Sequence, residues 1–394
     1  MASRQLTCNS CFSTDLEVFH EADNVPANSC LLFDNCKEAQ QYPRGKLVLA
    51  LCRQCGFIGN VAFDPALTCY TEGYEEQQSF SPRFNAFAQD LAARLIERHN
   101  VHNKTVLEIG CGKGDFLLLL CTLGPNRGIG IDPTYMPGRH NGFLPHGVRF
   151  IRDLYSERYA QYTADLVCCR HTLEHIANTG DFVAMLRRSI GDNSGTLVFF
   201  ELPDVQRVLN ECAFWDIYYE HCSYFSLGSL ARLFRRCGFK IARLAKGFDD
   251  QYLLLEAKPS NGRPDSPVRE EETVEELCRA VALFQSSYRD VVSRWQERIG
   301  ALRQAGRRVV IWGSGSKCVA FLNTIGINGD IDCVVDINPY RQGKYLPGSG
   351  KLIVAPEFLK NHPPDVVIAM NPIYLNEIRN DLNRFGLTPE LLAV

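Results

Sequence analysis

The chain reads as an α/β protein in which two doubly wound, Rossmann-like units follow a small N-terminal module of paired cysteines. Three observations carry this fold class. Short β-branched runs lead twice into glycine turns that open apolar helices, at residues 105–114 and 308–315. Each turn is followed, about twenty residues on, by a second apolar run ending in an acid (Asp132, Asp336), the pattern of parallel strands joined by crossover helices. Ahead of both lie two Cys-x-x-Cys pairs.

Length and composition bound the answer first. At roughly 150 residues per domain, 394 residues exceed one compact core and predict two or three domains. With 45% apolar and 22% charged residues, the chain is an ordinary globular protein and not a disordered, collagenous or coiled-coil one. A formal net charge of -3 supplies no basic field for nucleic acid or an anionic membrane, so neither is expected as a partner. The first twenty residues contain no apolar leader, and no window approaches the roughly 18 apolar residues of a membrane span. A cytoplasmic setting with reduced thiols is the expectation. Most of the 17 cysteines, such as Cys121, Cys168, Cys169, Cys237 and Cys333, sit in apolar runs and read as small core hydrophobes.

Four cysteines are different. Cys8 and Cys11, then Cys52 and Cys55, share the two-residue spacing that lets a pair of thiolates chelate one metal without backbone strain, and Gly56 suits the turn after the second pair. A structural Zn2+ bound by these four residues is predicted, although about forty residues separate the pairs where a compact ribbon has fewer. With every ligand position filled by protein, such a metal staples and does not catalyse.

Residues 80–99 place Phe84, Phe87, Ala88, Leu91 and Leu95 at helical spacing behind Ser81 and Pro82, an amphipathic helix entering a new domain. A strand over 105–109 then runs into Gly110, Gly112 and Gly114, and a helix opens at Asp115. A dinucleotide fingerprint spaces its third glycine one residue later. Glu108, beside the turn, would repel a phosphate but suits the cationic amino-acid end of S-adenosylmethionine. Asp132 ends the next strand in position for ribose hydroxyls, and Asp153 ends a third in position for the adenine amine. The pattern resembles the class I S-adenosylmethionine-dependent methyltransferases, which implies S-adenosylmethionine as cofactor and a Rossmann-like central domain.

A fourth strand over 164–169 leads into Arg170-His-Thr-Leu-Glu-His175. The string His171-x-x-Glu174-His175 matches one metalloprotease motif. Its place after a methyltransferase strand argues against a metal there; His171 is expected to line the cofactor crevice, and Glu174 and His175 to pack and hydrogen-bond at a helix start. After the strand over 196–200 comes an aromatic stretch, residues 214–225, that holds Tyr218, Glu220 and His221. Knuckles, methyltransferase core, Tyr-x-Glu-His and a further Rossmann-like unit together resemble the nucleotide-sugar C-methyltransferases. That resemblance implies C-methylation of a keto sugar, with His221 as general base, Glu220 orienting the imidazole or binding a sugar hydroxyl, and Tyr218 donating to the enolate oxygen. It also implies a tyrosine from the zinc-module side. Tyr74 is the expected equivalent and Tyr70 the alternative, because the sequence departs from the family pattern after Tyr74. O-methylation of a sugar or other small molecule is the alternative activity.

Residues 259–272 are polar and proline-rich and read as a linker. The apolar rhythm from Val274 through Leu302 predicts a long helix, either a coiled-coil dimer seam or a helix packed along its own chain. In the last unit an NAD-linked oxidoreductase is the competing possibility, since Asp336 stands where an NAD ribose acid would, but the third glycine position is Cys318. Residues 336–348 resemble the C-terminal domain of the sugar C-methyltransferases, a wall of the substrate cleft, and Lys317 and Lys344 are candidates for anionic contact. The expected division is a zinc-binding module over 1–80, the methyltransferase domain over 81–260, and the long helix with the second Rossmann-like unit over 261–394. A small-molecule acceptor and a monomer or homodimer complete the expectation.

Overall fold

The computed structural model describes residues 6–139, 144–262, 265–326 and 328–394. The N-terminal part is a meander: β1 (Leu16–Pro26), a short helix α1 (Cys36–Gln41) capped by Asn35, β2 (Arg44–Cys52) and β3 (Ile58–Asn60). β1 and β2 pair antiparallel with Leu16 opposite Cys52. That register carries the knuckle before β1 back to the knuckle after β2, so forty intervening residues do not separate them in space.

Helix α2 (Pro82–His99) opens at a Ser81 cap with Pro82 in its first turn, as the sequence predicts. It buries Ala88, Leu91, Ala92, Leu95 and Ile96. Then β4 (Thr105–Ile109), α3 (Asp115–Leu123), β5 (Arg127–Ile131), β6 (Val148–Ile151), β7 (Leu166–Arg170), α4 (Thr179–Ile190) and β8 (Leu197–Pro203) build a parallel core. Helix α5 (Val205–Asn210), β9 (Ser223–Tyr224), α6 (Leu227–Arg236) and the antiparallel pair β10 (Phe239–Gly247) and β11 (Tyr252–Pro259) follow. The seven-stranded order is β10-β11-β8-β7-β4-β5-β6. The order reverses at β4, which opens a crevice at its carboxyl end. β9 stands outside this sheet and pairs with β3, completing the N-terminal sheet from within the central segment.

The 31-residue α7 (Val274–Gln304) starts at a capping box between Thr273 and Glu276. β12 (Val309–Trp312), α8 (Ser316–Ile325), β13 (Val334–Val335), β14 (Ile353–Val354), β15 (Val366–Ala369), α9 (Leu375–Arg384) and β16 (Glu390–Ala393) form a five-stranded parallel sheet, order β14-β13-β12-β15-β16. Of the two outcomes expected for α7, the structure shows packing along its own chain: it lies against β1, α5, α8 and β12. Phe284, fully buried, meets Phe19 edge-on at 6.2 Å and joins one core that runs from the N-terminal to the C-terminal sheet. Removing a side chain of that size from water is worth about 2–3 kcal/mol.

The expected linker is pinned. Glu272 accepts from Ser226 Oγ (2.6 Å) and Gly228 N (2.8 Å), and Arg235 binds Glu271 and Asp265, so its polar residues serve as caps and ion partners for α6. Arg263 and Pro264 of that stretch lie outside the described residues. No helix among the described residues is long and apolar enough to cross a membrane.

Candidate active site

The four knuckle cysteines converge. Cys8 Sγ stands 3.7 Å from Cys55 Sγ and Cys11 Sγ 3.5 Å from Cys52 Sγ, with all four within 4.8 Å of one another. Four thiolates about 2.3 Å from a tetrahedral Zn2+ stand roughly 3.8 Å apart, so the donor set fits such an ion. The amides of Ser10 and Cys11 point at Cys8 Sγ (3.4 Å each), which offsets thiolate charge, and Gly56 takes the left-handed conformation after Cys55 (φ 75°).

At the end of β4, Gly110 (φ 67°) and Gly112 (φ 54°) are both left-handed, a conformation a side chain resists. Contact also excludes a side chain: a Cβ on Gly110 would meet Thr172 Oγ1 at 2.0 Å, and one on Gly112 would meet Glu76 Oε1 at 2.5 Å. Gly114 then caps α3 without a side chain. Glu108 is buried behind the turn and its Oε2 has no hydrogen-bond partner. Burial pushes its carboxyl up to about 8, against the pull of Arg170. Asp132 accepts from Gly112 N at 2.8 Å and from Thr134 N and Oγ1 at 2.7 Å. A carboxylate offers about four lone-pair sites, so capacity remains at Asp132. A glycine cradle edged by acids, one with an orphaned buried oxygen, fits S-adenosylmethionine, whose α-ammonium and sulfonium are cationic, and does not fit a pyrophosphate.

Asp153 stands apart from this group. Its carboxylate is held by Arg158 and by the Tyr159 hydroxyl, so the adenine role expected for it would need those contacts to give way. His171 sits at the end of β7 with positive φ (47°), Nε2 3.0 Å from Glu201 and Nδ1 3.5 Å from Glu174. Burial opposes its charge, but the Glu174 and Glu201 contacts lift it to about 9. It is a charged strut at the crevice wall, stacked edge-on against Tyr252.

The aromatic stretch forms a second, buried cluster. Glu220 is fully buried and accepts from Tyr74 Oη (2.9 Å), Asn28 Nδ2 (2.8 Å) and Ser29 N (2.9 Å). Its hydrogen bonds run to the N-terminal part of the chain and not to His221, so the expected orienting of the imidazole is not what this geometry does. His221 packs against Tyr218 (4.1 Å between centroids) and perpendicular to His175 (4.7 Å). Burial, then His175, His171 and Lys317, hold it well below the ordinary imidazole value. Burial likewise keeps the Tyr218 phenol well above its usual range and therefore protonated. Both tyrosines weighed from the sequence are present: Tyr74 binds Glu220, while Tyr70 Oη pairs with His175 Nδ1 at 2.9 Å.

Three participants escaped the sequence. His175, expected to pack and hydrogen-bond at a helix start, does hydrogen-bond, to Tyr70, but it also touches the His221 ring, which the sequence did not indicate. Asn28 and Ser29 carry no motif at all. Lys317 is neither a surface lysine nor free for an anion: it is ion-paired to Asp216, 2.5 Å from each carboxylate oxygen, and Arg207 shares that carboxylate. Lys344 pairs with Asp34. In the C-terminal sheet Asp336 accepts from Ser314 N, Ser314 Oγ and Asn338 N, the same three-donor pattern as Asp132, and Arg341 donates to Ser314 Oγ.

Residues 74–244 match a family described as a methyltransferase domain, and residues 265–387 one described as a C-methyltransferase C-terminal domain. The C-methyltransferase NovU of Streptomyces niveus is 28% identical over 295 residues, spanning 71% of this chain and 69% of that protein. Among solved structures, an S-adenosylmethionine-dependent methyltransferase of Listeria monocytogenes overlaps 43% of this chain and all of its own (14% identity, TM-score 0.33). The Streptomyces davawensis N,N-8-amino-8-demethyl-D-riboflavin dimethyltransferase overlaps 45% of this chain and 56% of its own (18% identity, TM-score 0.37).

Proposed function

The chain is an S-adenosylmethionine-dependent C-methyltransferase, and we propose that its acceptor is a nucleotide-linked keto sugar, methylated in the cytoplasm on a carbon next to the carbonyl with His221 as general base. One observation carries the base assignment. His221 is buried and held neutral, among the described residues no hydrogen bond reaches its ring, and the imidazole lies against Tyr218 and His175. A general base must be unprotonated at the operating pH and within reach of the proton it takes, and a neutral histidine meets the first condition.

In this proposal the C–H bond breaks, its proton goes to His221, and the electron pair moves through the new C–C double bond to the carbonyl oxygen. Tyr218, kept protonated by burial, donates to that oxygen as charge develops. S-adenosylmethionine, when bound, supplies an electrophilic methyl group. Glu108, Asp132 and the turn at Gly110, Gly112 and Gly114 would hold it, with His171 at the crevice wall; Asp153 remains the adenine candidate only if it exchanges partners. Tyr74 and Glu220 shape the acceptor pocket and fix it to the N-terminal module. Cys8, Cys11, Cys52 and Cys55 we assign to a structural Zn2+. The division at residues 80 and 260 is kept, with β9 reaching back across the first boundary. The sugar class rests on the Tyr-x-Glu-His element and the C-methyltransferase match of the C-terminal part.

The test is incubation with methyl-labelled S-adenosylmethionine and a panel of nucleotide-linked 4-keto sugars and their reduced counterparts. Label on a ring carbon of a keto sugar, lost in His221→Ala, is the expected result. Transfer to an oxygen, or to the reduced sugars equally, would replace it with the O-methyl alternative.

A further inference from the structure

The segment between the N-terminal sheet and α2 crosses the mouth of the cofactor crevice. Glu75 fastens it there: its carboxylate accepts from Arg139 (2.5 Å) and from Asn338 Nδ2 (2.9 Å), and its carbonyl accepts from Arg341 Nη2 (2.6 Å) and Nε (3.2 Å). Arg139 belongs to the loop after β5, while Asn338 and Arg341 follow β13, so one residue ties the strap to both parallel sheets. Arg139 also stacks on Tyr340, its guanidinium carbon 3.3 Å from the ring centroid.

The next residue, Glu76, has no such anchor. Its Oε1 lies 2.5 Å from where a Cβ on Gly112 would stand, directly over the cofactor turn. Its Oε2 is shut away from water without a hydrogen-bond partner, and the Lys113 ammonium is 3.9 Å off, beyond hydrogen-bond reach. Glu108, from β4, has an orphaned oxygen at the same turn, and Asp132 adds a third carboxylate through its bond to Gly112 N. Lys113 and Arg170 offset these carboxylates only in part, and Glu76 keeps about a third of its side chain open to solvent, so a positive ligand could reach it and lower the cost of holding three acids at one turn. Of the cofactor's two cationic groups, the sulfonium must point to the acceptor, leaving the ammonium for the turn.

We propose that Glu76 is a cofactor-binding residue whose carboxylate, delivered over Gly112 by the strap, receives the ammonium of the methionine end of S-adenosylmethionine. This rests on the cofactor assignment above and deepens it: because Glu75 holds the strap to the C-terminal sheet, cofactor affinity depends on the docking of that sheet. No feature of the local sequence around the glycine turn contains Glu76, which comes from 36 residues upstream of Gly112.

The experiment is calorimetric titration of the full chain and Glu76→Gln with three ligands: S-adenosylmethionine (ammonium and sulfonium), S-adenosylhomocysteine (ammonium alone) and methylthioadenosine (neither). Glu72→Gln, a surface change on the same strap, is the control for folding. The expected result is that Glu76→Gln weakens the first two by about tenfold, the loss of one charge-assisted contact, and leaves methylthioadenosine unchanged. Affinities for the first two within twofold of the parent would overturn the proposal. So would weakening of S-adenosylmethionine alone, which would mean sulfonium contact, or of all three equally, which would mean a distorted pocket. If the parent chain itself binds none of them, the cofactor assignment falls with it, and that result is distinct from failure at Glu76.

Discussion

Tyr74 donates its hydroxyl hydrogen to Oε2 of Glu220 across 2.9 Å, joining residues 146 positions apart. Through Asn28 and Ser29 the same carboxylate also receives the N-terminal module, so one buried acid ties the aromatic stretch to that module at three points. Removing it strands three donors in a place without water. Glu220→Ala should therefore cost about 3 kcal/mol or more of stability, and Tyr74→Phe only about 1 kcal/mol, because the carboxylate keeps its other partners. Urea unfolding midpoints check this; equal losses for the two variants would mean that Glu220 does not hold the module.

The knuckles carry a second prediction. Metal analysis should find about one equivalent of zinc per chain, lost in Cys55→Ser, with a lower unfolding midpoint in both that variant and the chelator-treated parent. Cys333→Ser, a buried thiol of the C-terminal sheet core, should keep its metal. A metal-free chain of full stability would remove the structural role.

Cofactor binding should release protons. Burial, the first cause at both sites, raises Glu76 and Glu108 from 4.5 to about 8. Lys113 favours the charged form of Glu76 while Asp132 and Glu75 oppose it; Arg170 favours that of Glu108 while Asp115 and Asp132 oppose it. A cationic ligand selects the ionised carboxylates, so affinity for S-adenosylmethionine should rise with pH up to about 8. The ligand-free protein behaves oppositely: between pH 4.5 and 8 the native state holds more protons than the unfolded one, so its stability falls as pH rises through that window. Calorimetry at pH 7 in two buffers of different ionisation enthalpy measures the release; identical heats would contradict it.

For His221 the sign is the reverse. Its value is held below 6.5 by burial and by His175, His171 and Lys317, so the free base persists at pH 6.5 and is lost only as pH falls further. Deuterium exchange at the acceptor carbon, without methyl donor, should be flat from pH 6.5 to 8, decline only in more acid buffer, and vanish in His221→Gln. An acid limb centred above pH 7 would assign the base elsewhere.

The motifs that were legible in the sequence are those whose chemistry is local. A CxxC pair, a glycine turn after a β-branched strand and a Ser-Pro helix start each need only neighbouring residues, so spacing reveals them. Asp153 shows the limit of that logic: its place at a strand end was readable, but not that Arg158 and Tyr159 would occupy it. Lys317 shows it again, because nothing near residue 317 tells of Asp216, 101 positions earlier.

What the sequence alone determined, then, was the fold class, the methyl-donor turn and the pairing rule of the four thiols, each encoded by periodicity or by residues a few positions apart. The tertiary structure alone decided which carboxylates face the turn, that Glu220 serves the N-terminal module and not the imidazole, and that His175 stands beside His221. Those outcomes depend on strands and straps from distant parts of the chain meeting in space, where burial and partner charge, not residue type, set the chemistry of each group.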